Sequence, residues 1–445
     1  SKLWANLFTV FLFFGLYLFK FTRPVIPQFV FIFWLIQFIF LWLLIKDKRN
    51  DIMIYHSASK RWILWLNILN FGLLFYLYPF YWTFYLVFLA VLIFIFYFKD
   101  KALSKQFLKI LIGGLAIGFV YFYLTFLASR LPEYQETLTR LQLVFSRSPS
   151  EIKTVLPAFL VLILFAILYR LKLIKADKKI LFFISGIISI LLVTNQNIIT
   201  GQKFEFGHYR MPAVFFLVFA IYYLGSYFFK SLNFKYKYLI VSLIIIFSAY
   251  GIYGYIQKVF NVSEQDIYRQ KYAVIFKWFN ENTAKDSVVY ANEDISSLMP
   301  VYTSNNVFYS RYANLFIISD KEAGERFILN NYFKKFDRDF VIENERSIWG
   351  VRYVDRSGNA VQANKWRKLL SFELKDETRL PEQEIDEILA AASQIQNDSF
   401  EKGLKKYEVD YFVWDKNKNP EWLLRDQIFL ESVFENGDFA IYRTK

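Results

Sequence analysis

Apolar windows of roughly 17–21 residues recur nine times before residue 257 of this 445-residue chain, each long enough to cross a hydrocarbon core of ~30 Å. They fall at Leu3–Phe19, Val25–Ile45, Trp62–Tyr78, Phe80–Phe98, Ile110–Ala128, Thr154–Tyr169, Ile180–Ile198, Met211–Phe229 and Tyr238–Ile256. The third and fourth share one apolar run of 37 residues, in which Pro79 predicts a tight turn between two helices rather than one long helix. Composition points the same way. With 56% hydrophobic and 21% aromatic residues, including 52 Phe and 31 Tyr, the chain has more apolar surface than a soluble domain of this size can hide. The pattern excludes a plain cytosolic enzyme. It predicts a multi-pass α-helical membrane bundle of about nine transmembrane helices over residues 1–256.

The charges divide at the same place. Residues 1–256 carry 26 Lys and Arg against 8 Asp and Glu, and residues 257–445 carry 27 against 31. The basic excess therefore belongs to the apolar half, where cations set topology and meet anionic lipid heads. A nucleic-acid reader needs a basic face on a water-exposed domain, and the polar half is slightly acidic, so no nucleic acid partner is expected. The loops Lys46–Arg61, Lys99–Lys109, Arg170–Lys179 and Lys230–Lys237 hold 17 Lys and Arg together, and the alternate loops hold 8. By the positive-inside rule this puts Ser1 in the cytoplasm and the C-terminal domain outside, in what the residue usage suggests is a bacterial plasma (inner) membrane. The chain starts at Ser1, without Met or a cleavable signal, and an upstream segment is expected. Cysteine is absent, which excludes disulfides, thiolate catalysis and cysteine–zinc sites.

Residues 257–445 read as one extracytoplasmic mixed α/β domain. Tyr268, Tyr272, Ile275, Phe276 and Phe279 fall at helical spacing and lead into a strand at Ser287–Ala291. Pro381 opens a second helix, Asp410–Trp414 reads as a strand, and Asn436-Gly437 between apolar runs predicts a hairpin.

Two outward segments carry candidate chemistry. Ser129–Lys153 mixes Glu133, Glu136 and Glu151 with four cations, and Leu131–Phe145 has an amphipathic helical pattern. It reads either as a helix lying in the membrane interface or as a clamp in which Arg130 or Arg147 holds a phosphate. Thr194–Arg210 closes an apolar helix with Asn195, Gln196 and Asn197, amides that are costly to bury unless paired. Glu205, His208 and Arg210 then put a carboxylate, an imidazole and a cation within six residues. This group can bind a phosphate or serve as acid and base, or it is a capped helix end with interface-anchoring side chains. Glu205 and His208 are too few ligands for zinc, so no metal site is expected, and any cofactor is unknown. In the polar half Glu293-Asp294 follow one predicted strand and Arg311 follows another, positions that suit a site or a surface turn equally.

Three stretches of the polar half are similar to the segment after the last helix in bacterial members of the GT-C superfamily. They are Tyr268–Ala291, with its N-T-x-x-D-S-V-V turn; Ile295–Arg311, with P-x-Y-T; and Lys406–Trp414, with Y-x-V-D-Y. The many apolar windows, the polar outer loop and the outward α/β domain also resemble the C-terminal part of these membrane glycosyltransferases. The resemblance implies transfer of a sugar from a polyprenyl-phosphate donor to a cell-envelope acceptor, with membrane lipids around the bundle and a divalent metal as an open possibility. Asn195, Gln196, Asn197, Arg210, Arg130 and Arg147 are then candidate substrate-binding residues. The family's catalytic carboxylate lies in the first outward loop, and Lys20–Pro24 has none. The catalytic residue is therefore expected upstream of Ser1, with Glu205 and His208 as the weaker candidates within the chain. The competing readings are a non-catalytic membrane-anchored scaffold and a transporter or flippase.

Overall fold

The computed structural model describes residues 28–45, 57–141, 144–145, 147–149, 152–203, 206–229, 249, 252–254, 256–257, 260 and 263–445. Packing divides the chain into two units, Ser1–Leu127 with Arg147–Asn261 and Ala128–Ser146 with Val262–Lys445. The polar segment after residue 128 thus belongs with the C-terminal residues as far as Ser146 and with the apolar residues from Arg147 onward.

The apolar unit is built from the helices Gln28–Ile45, Ser57–Leu77, Pro79–Lys99, Lys101–Ala128, Ile152–Arg170, Lys178–Thr194 and Arg210–Phe229. This corrects the expectation of about nine transmembrane helices. Among the described residues three helices are long and apolar enough to cross a membrane: Pro79–Lys99, Lys101–Ala128 and Lys178–Thr200. Phe29–Ile45, Arg61–Leu77 and Val155–Arg170 are apolar but shorter. A hydropathy window counts apolar residues and not the apolar length of one helix: Ser57, Ser59, Lys60 and Arg61 open the Ser57–Leu77 helix, and Arg170 closes Ile152–Arg170. The window Leu3–Phe19 lies outside the described residues, as does nearly all of Tyr238–Ile256. The three long apolar helices are compatible with membrane association.

Pro79 occupies the first turn of its helix, where its missing N–H costs nothing, and Tyr78 alone, in extended conformation, separates it from the helix before. Trp34 is fully buried and is ringed by Phe31, Phe38, Tyr81, Phe84, Tyr85, Phe215 and Phe216 at centroid distances of 4.8–6.4 Å among the cluster. Buried amides are satisfied by one another. Gln37 Nε2 donates to Asn67 Oδ1 (3.1 Å), and Asn70 Nδ2 donates to Gln37 Oε1 (2.9 Å) and to the Phe33 carbonyl (2.9 Å). Such pairs join helices in surroundings that offer no water. Gly114 lets the Lys101–Ala128 helix approach the Ser57–Leu77 helix: a Cβ there would sit 2.1 Å from Phe71 Cδ1.

The second unit holds a five-stranded sheet of β1 (Val288–Tyr290), β2 (Asn306–Val307), β3 (Tyr411–Asp415), β4 (Leu430–Asn436) and β5 (Phe439–Thr444). The order is β2-β1-β3-β5-β4, with β1 parallel to β2 and β3, and β5 antiparallel to β3 and β4. Asn436-Gly437 closes the β4–β5 hairpin, with Gly437 at φ +53°. Alternation along the strands divides the core between two faces. Tyr290, Phe412 and Tyr442 pack with Phe327, Ile385 and Phe400 on one side, while Val289, Val413 and Ile441 pack with Ile275, Phe279 and Met299 on the other. Helices therefore cover both faces, the α/β layering that parallel strands require.

The Leu131–Phe145 pattern yields a helix only over Tyr134–Arg140. That helix packs on residues 316–320 of its own unit. Arg140, buried, donates through Nη2 to the carbonyls of Ile318 (2.6 Å) and Phe316 (3.4 Å), and through Nη1 to Asp320. Glu136 accepts the backbone N–H of Asp320, and the Thr137 hydroxyl donates to the Phe316 carbonyl (3.2 Å).

Candidate functional site

In the apolar unit, the polar segment after the Lys178–Thr194 helix meets residues 147–149. Asn197 is fully buried and donates through Nδ2 to the Ser148 carbonyl (2.9 Å). Arg147 Nη1 donates to the carbonyls of Ile198 (3.0 Å) and Ile199 (2.8 Å), capping the single helical turn Asn197–Thr200. Gly201 ends that turn at φ +78°, and a Cβ there would lie 3.3 Å from Arg147 Nη2. Gln196 Nε2 donates to the Gln202 carbonyl (2.7 Å) and its Oε1 accepts the Thr200 hydroxyl (2.7 Å). Asn195 Nδ2 donates back to the Leu191 carbonyl (3.1 Å). The cation and amides nominated from sequence thus close a loop through backbone carbonyls.

His208 is half-buried, with its Nδ1 bonded to the Tyr78 hydroxyl and its ring stacked on Phe80 at 4.4 Å. Next to it the Thr83 and Tyr209 hydroxyls share a hydrogen bond of 2.8 Å. Arg210, exposed, is the first residue of its helix, and Arg130 is exposed in the turn that follows Ala128. Glu205 lies outside the described residues. Arg130 belongs to the second unit and Arg147 to the first. No group of three or more His, Asp or Glu able to hold a metal ion occurs among the described residues.

The densest polar constellation stands at the carboxyl ends of β1, β2 and β3. From β1 the chain runs through the Glu293–Tyr302 helix to β2 on one side, while β3 lies on the other, so the crevice between β1 and β3 is a topological switch point, where α/β sheets open for ligands. Asn292 caps the helix through the Ile295 N–H (3.0 Å) and donates across the crevice to Asn419 Oδ1 (2.9 Å). Asp294 accepts Arg269 Nη2 (2.6 Å) and Lys418 Nζ (3.0 Å). Fully buried Asp415 accepts the hydroxyls of Tyr268 (2.9 Å) and Tyr272 (3.0 Å) and the N–H groups of Asn417 and Lys418 (both 3.1 Å). Glu293 accepts the Arg311 N–H (2.9 Å) and the Ser310 hydroxyl (3.2 Å), which brings together the two strand-end positions marked in the sequence.

The electrostatics differ between adjacent carboxylates. Burial pushes the Glu293 carboxyl up, and its bonds to Arg311 and Ser310 do not offset this. Burial pushes Asp294 up as well, but the bonds from Arg269 and Lys418 outweigh it and hold the carboxyl below its ordinary value. The Tyr268 hydroxyl is pushed up to about 12, by burial first and then by its bond to Asp415. Beside this cluster an open groove of about 700 Å³, in the size range of small-molecule sites, is lined by Asp266, Arg269, Gln270, Asn280 and the stacked rings of Phe276 and Tyr302 (5.3 Å).

Arg269, Asp415, Lys418 and Asn419 escaped the sequence reading because they come from two stretches joined only by the sheet. The one available signal was polar residues directly after each parallel strand. No protein-family model matches the chain, and no curated protein matches it.

Proposed function

We propose that the chain belongs to a GT-C-like membrane glycosyltransferase that moves a sugar from a polyprenyl-phosphate donor to a cell-envelope acceptor. One observation carries the reading. The three stretches behind the resemblance supply three neighbouring strands of one sheet: Asp410 Oδ2 accepts the Val288 N–H (2.7 Å), the Val288 carbonyl accepts the Asp410 N–H (2.9 Å), and the Ser287 carbonyl accepts the Asn306 N–H (2.9 Å). Similar motifs that also pack as one structural element are weightier than scattered matches. In this reading apolar helices of membrane length hold the polyprenyl tail, outward cations such as Arg210 meet its phosphate, and the groove at Phe276 and Tyr302 receives the acceptor sugar. The polar unit lies outside a bacterial plasma membrane, with Ser1 on the cytoplasmic side. The catalytic carboxylate is assigned to no described residue.

A second reading, a non-catalytic membrane-anchored scaffold, is favoured by the bonding of Arg147, Gln196 and Asn197 to backbone carbonyls. The two separate in one assay. The full-length protein, with any residues that precede Ser1, is placed in lipid nanodiscs and given radiolabelled polyprenyl-phosphate hexoses and envelope glycan as acceptor. The transferase reading expects label in the glycan, with transfer reduced at least tenfold by Arg210→Ala. Retention of the glycan without any transfer of label supports the scaffold.

A further inference from the structure

The second unit exposes an apolar loop where a water-facing domain normally shows polar residues. Around the turn Arg311–Leu315, Tyr312 is 50% exposed, Leu315 57%, Phe316 67% and Ile317 39%, with Leu131 of the same unit 47% exposed. Contiguous apolar exposure of this kind marks a binding surface. The loop is held firmly: Ser310 caps its start, the Thr137 hydroxyl and Arg140 guanidinium bond the Phe316 carbonyl, and Arg140 also bonds the Ile318 carbonyl (2.6 Å). The large apolar side chains thus project from a braced backbone.

What covers them follows from chain continuity. The helix that holds the loop, Tyr134–Arg140, begins six residues after Ala128, the last residue of the 28-residue apolar helix Lys101–Ala128. The Leu131 N–H donates to the Ala128 carbonyl (3.0 Å) and the Tyr134 N–H to the Leu131 carbonyl (3.1 Å), so the connection is a tight turn rather than a tether. A helix long enough to cross a membrane therefore ends within one turn of Leu131, and the Phe316 loop is bonded to the next helix. The Arg311 guanidinium lies 5.1 Å from the Tyr312 ring centre and donates to its hydroxyl (3.2 Å). A cation beside an aromatic with a polar tip matches the chemistry of the lipid headgroup layer.

We propose that Tyr312, Leu315, Phe316 and Ile317, with Leu131, form a wedge that seats the second unit in the headgroup region of the bilayer into which the Lys101–Ala128 helix inserts. The aliphatic and phenyl groups enter the acyl boundary, and Arg311 stays with the phosphates. The wedge rests on the membrane reading of the Lys101–Ala128 helix and is independent of glycosyl transfer.

The chain has no cysteine, so single sites can be labelled without background. Phe316→Cys, Ile428→Cys and Phe119→Cys, at residues 67%, 88% and 66% exposed, are each spin-labelled in the full chain and reconstituted into phosphatidylethanolamine–phosphatidylglycerol vesicles. Collision with lipid-soluble oxygen is compared with collision with a water-soluble nickel chelate. The expected result is oxygen preference at 316 and 119 and chelate preference at 428. Chelate preference at 316 with oxygen preference at 119 overturns the wedge. Protection of 316 from both reagents also overturns it, because a protein surface then covers the loop. Chelate preference at 119 overturns the membrane reading beneath it. A second labelled variant, Leu315→Cys, guards against misfolding at 316 and is expected to match it.

Discussion

Arg140 and Asp320 stand 180 positions apart in sequence and form an ion pair whose cation has a fully buried side chain. Arg352 Nη1 approaches the other carboxylate oxygen of Asp320 at 3.0 Å, so one carboxylate bridges two guanidinium groups. The Val351 N–H closes the arrangement on the Arg140 carbonyl (3.1 Å). This cluster makes residues 128–146 part of the C-terminal unit.

Asp320→Asn is expected to cost about 3 kcal/mol or more, since it leaves a buried guanidinium without its counter-charge. Arg140→Met removes the charge that needs neutralising and is expected to cost less. In the double variant the two effects are expected to be strongly non-additive. Hydrogen exchange of the Asp320–Asn330 helix in the full chain reads the difference; equal, additive losses would contradict the buried-charge account.

Gly114 and Gly225 are both helical, and they predict opposite responses. A Cβ at Gly114 meets Phe71 Cδ1 at 2.1 Å, whereas no atom of the described residues lies within 4 Å of a Cβ at Gly225. Gly114→Ala is expected to destabilise by about 1–3 kcal/mol through overpacking. Gly225→Ala is expected to be neutral or to stabilise by up to ~1 kcal/mol through helix propensity. Adding Phe71→Ala should relieve the Gly114→Ala defect in part. Thermal denaturation in detergent compares the three variants with the parent.

Local signals were legible and distant ones were not. Pro79 marked the break between two helices, Asn436-Gly437 a hairpin, and the runs near Val288 and Tyr411 two strands, because each depends on backbone preferences within a few residues. The count of spans was overturned because only three of the described helices are both long and apolar enough to cross a membrane, a joint condition that run length alone does not test. Leu131–Phe145 misled for a different reason. Its amphipathic pattern suits a helix lying in the interface or a clamp over a substrate, yet Thr137 and Arg140 face residues 316–320, a partner no sequence period announces. At the candidate sites, residue type was visible but bonding was not: Arg147 reads equally as a phosphate ligand or as the cap it forms.

That cap gives its own test. Arg147→Ala is expected to loosen the Asn197–Thr200 turn by about 1 kcal/mol, the net worth of a typical hydrogen bond. Gly201→Ala should cost a similar amount, because φ +78° strains an alanine. Exchange of the amides of residues 197–201 is expected to rise in both variants. If Arg147→Ala instead leaves exchange unchanged while weakening retention of polyprenyl phosphate, the residue serves the ligand and not the turn.

Glu293 and Asp294 are neighbours whose carboxyls shift in opposite directions, so their variants should show opposite pH profiles. Asp294 is held below the unfolded value of about 3.9, so its ionised form stabilises the fold above that pH and the benefit is lost as pH falls through the folded value. Asp294→Asn is therefore expected to be less stable than the parent at pH 7, by up to ~1 kcal/mol given partly exposed partners, with the gap closing in acid. Glu293 is raised above the unfolded value of about 4.3, so its ionised form opposes folding; the full penalty holds above the folded value and is gone once pH has fallen to the unfolded one. Glu293→Gln, which keeps an acceptor for the Arg311 N–H, should equal or exceed the parent in stability at pH 7 and lose that advantage in acid. Protection of the β1 amides in the full chain, followed from pH 7 to pH 3, records both. Parallel profiles for the two variants would mean that Arg269 and Lys418 do not discriminate between the adjacent carboxylates.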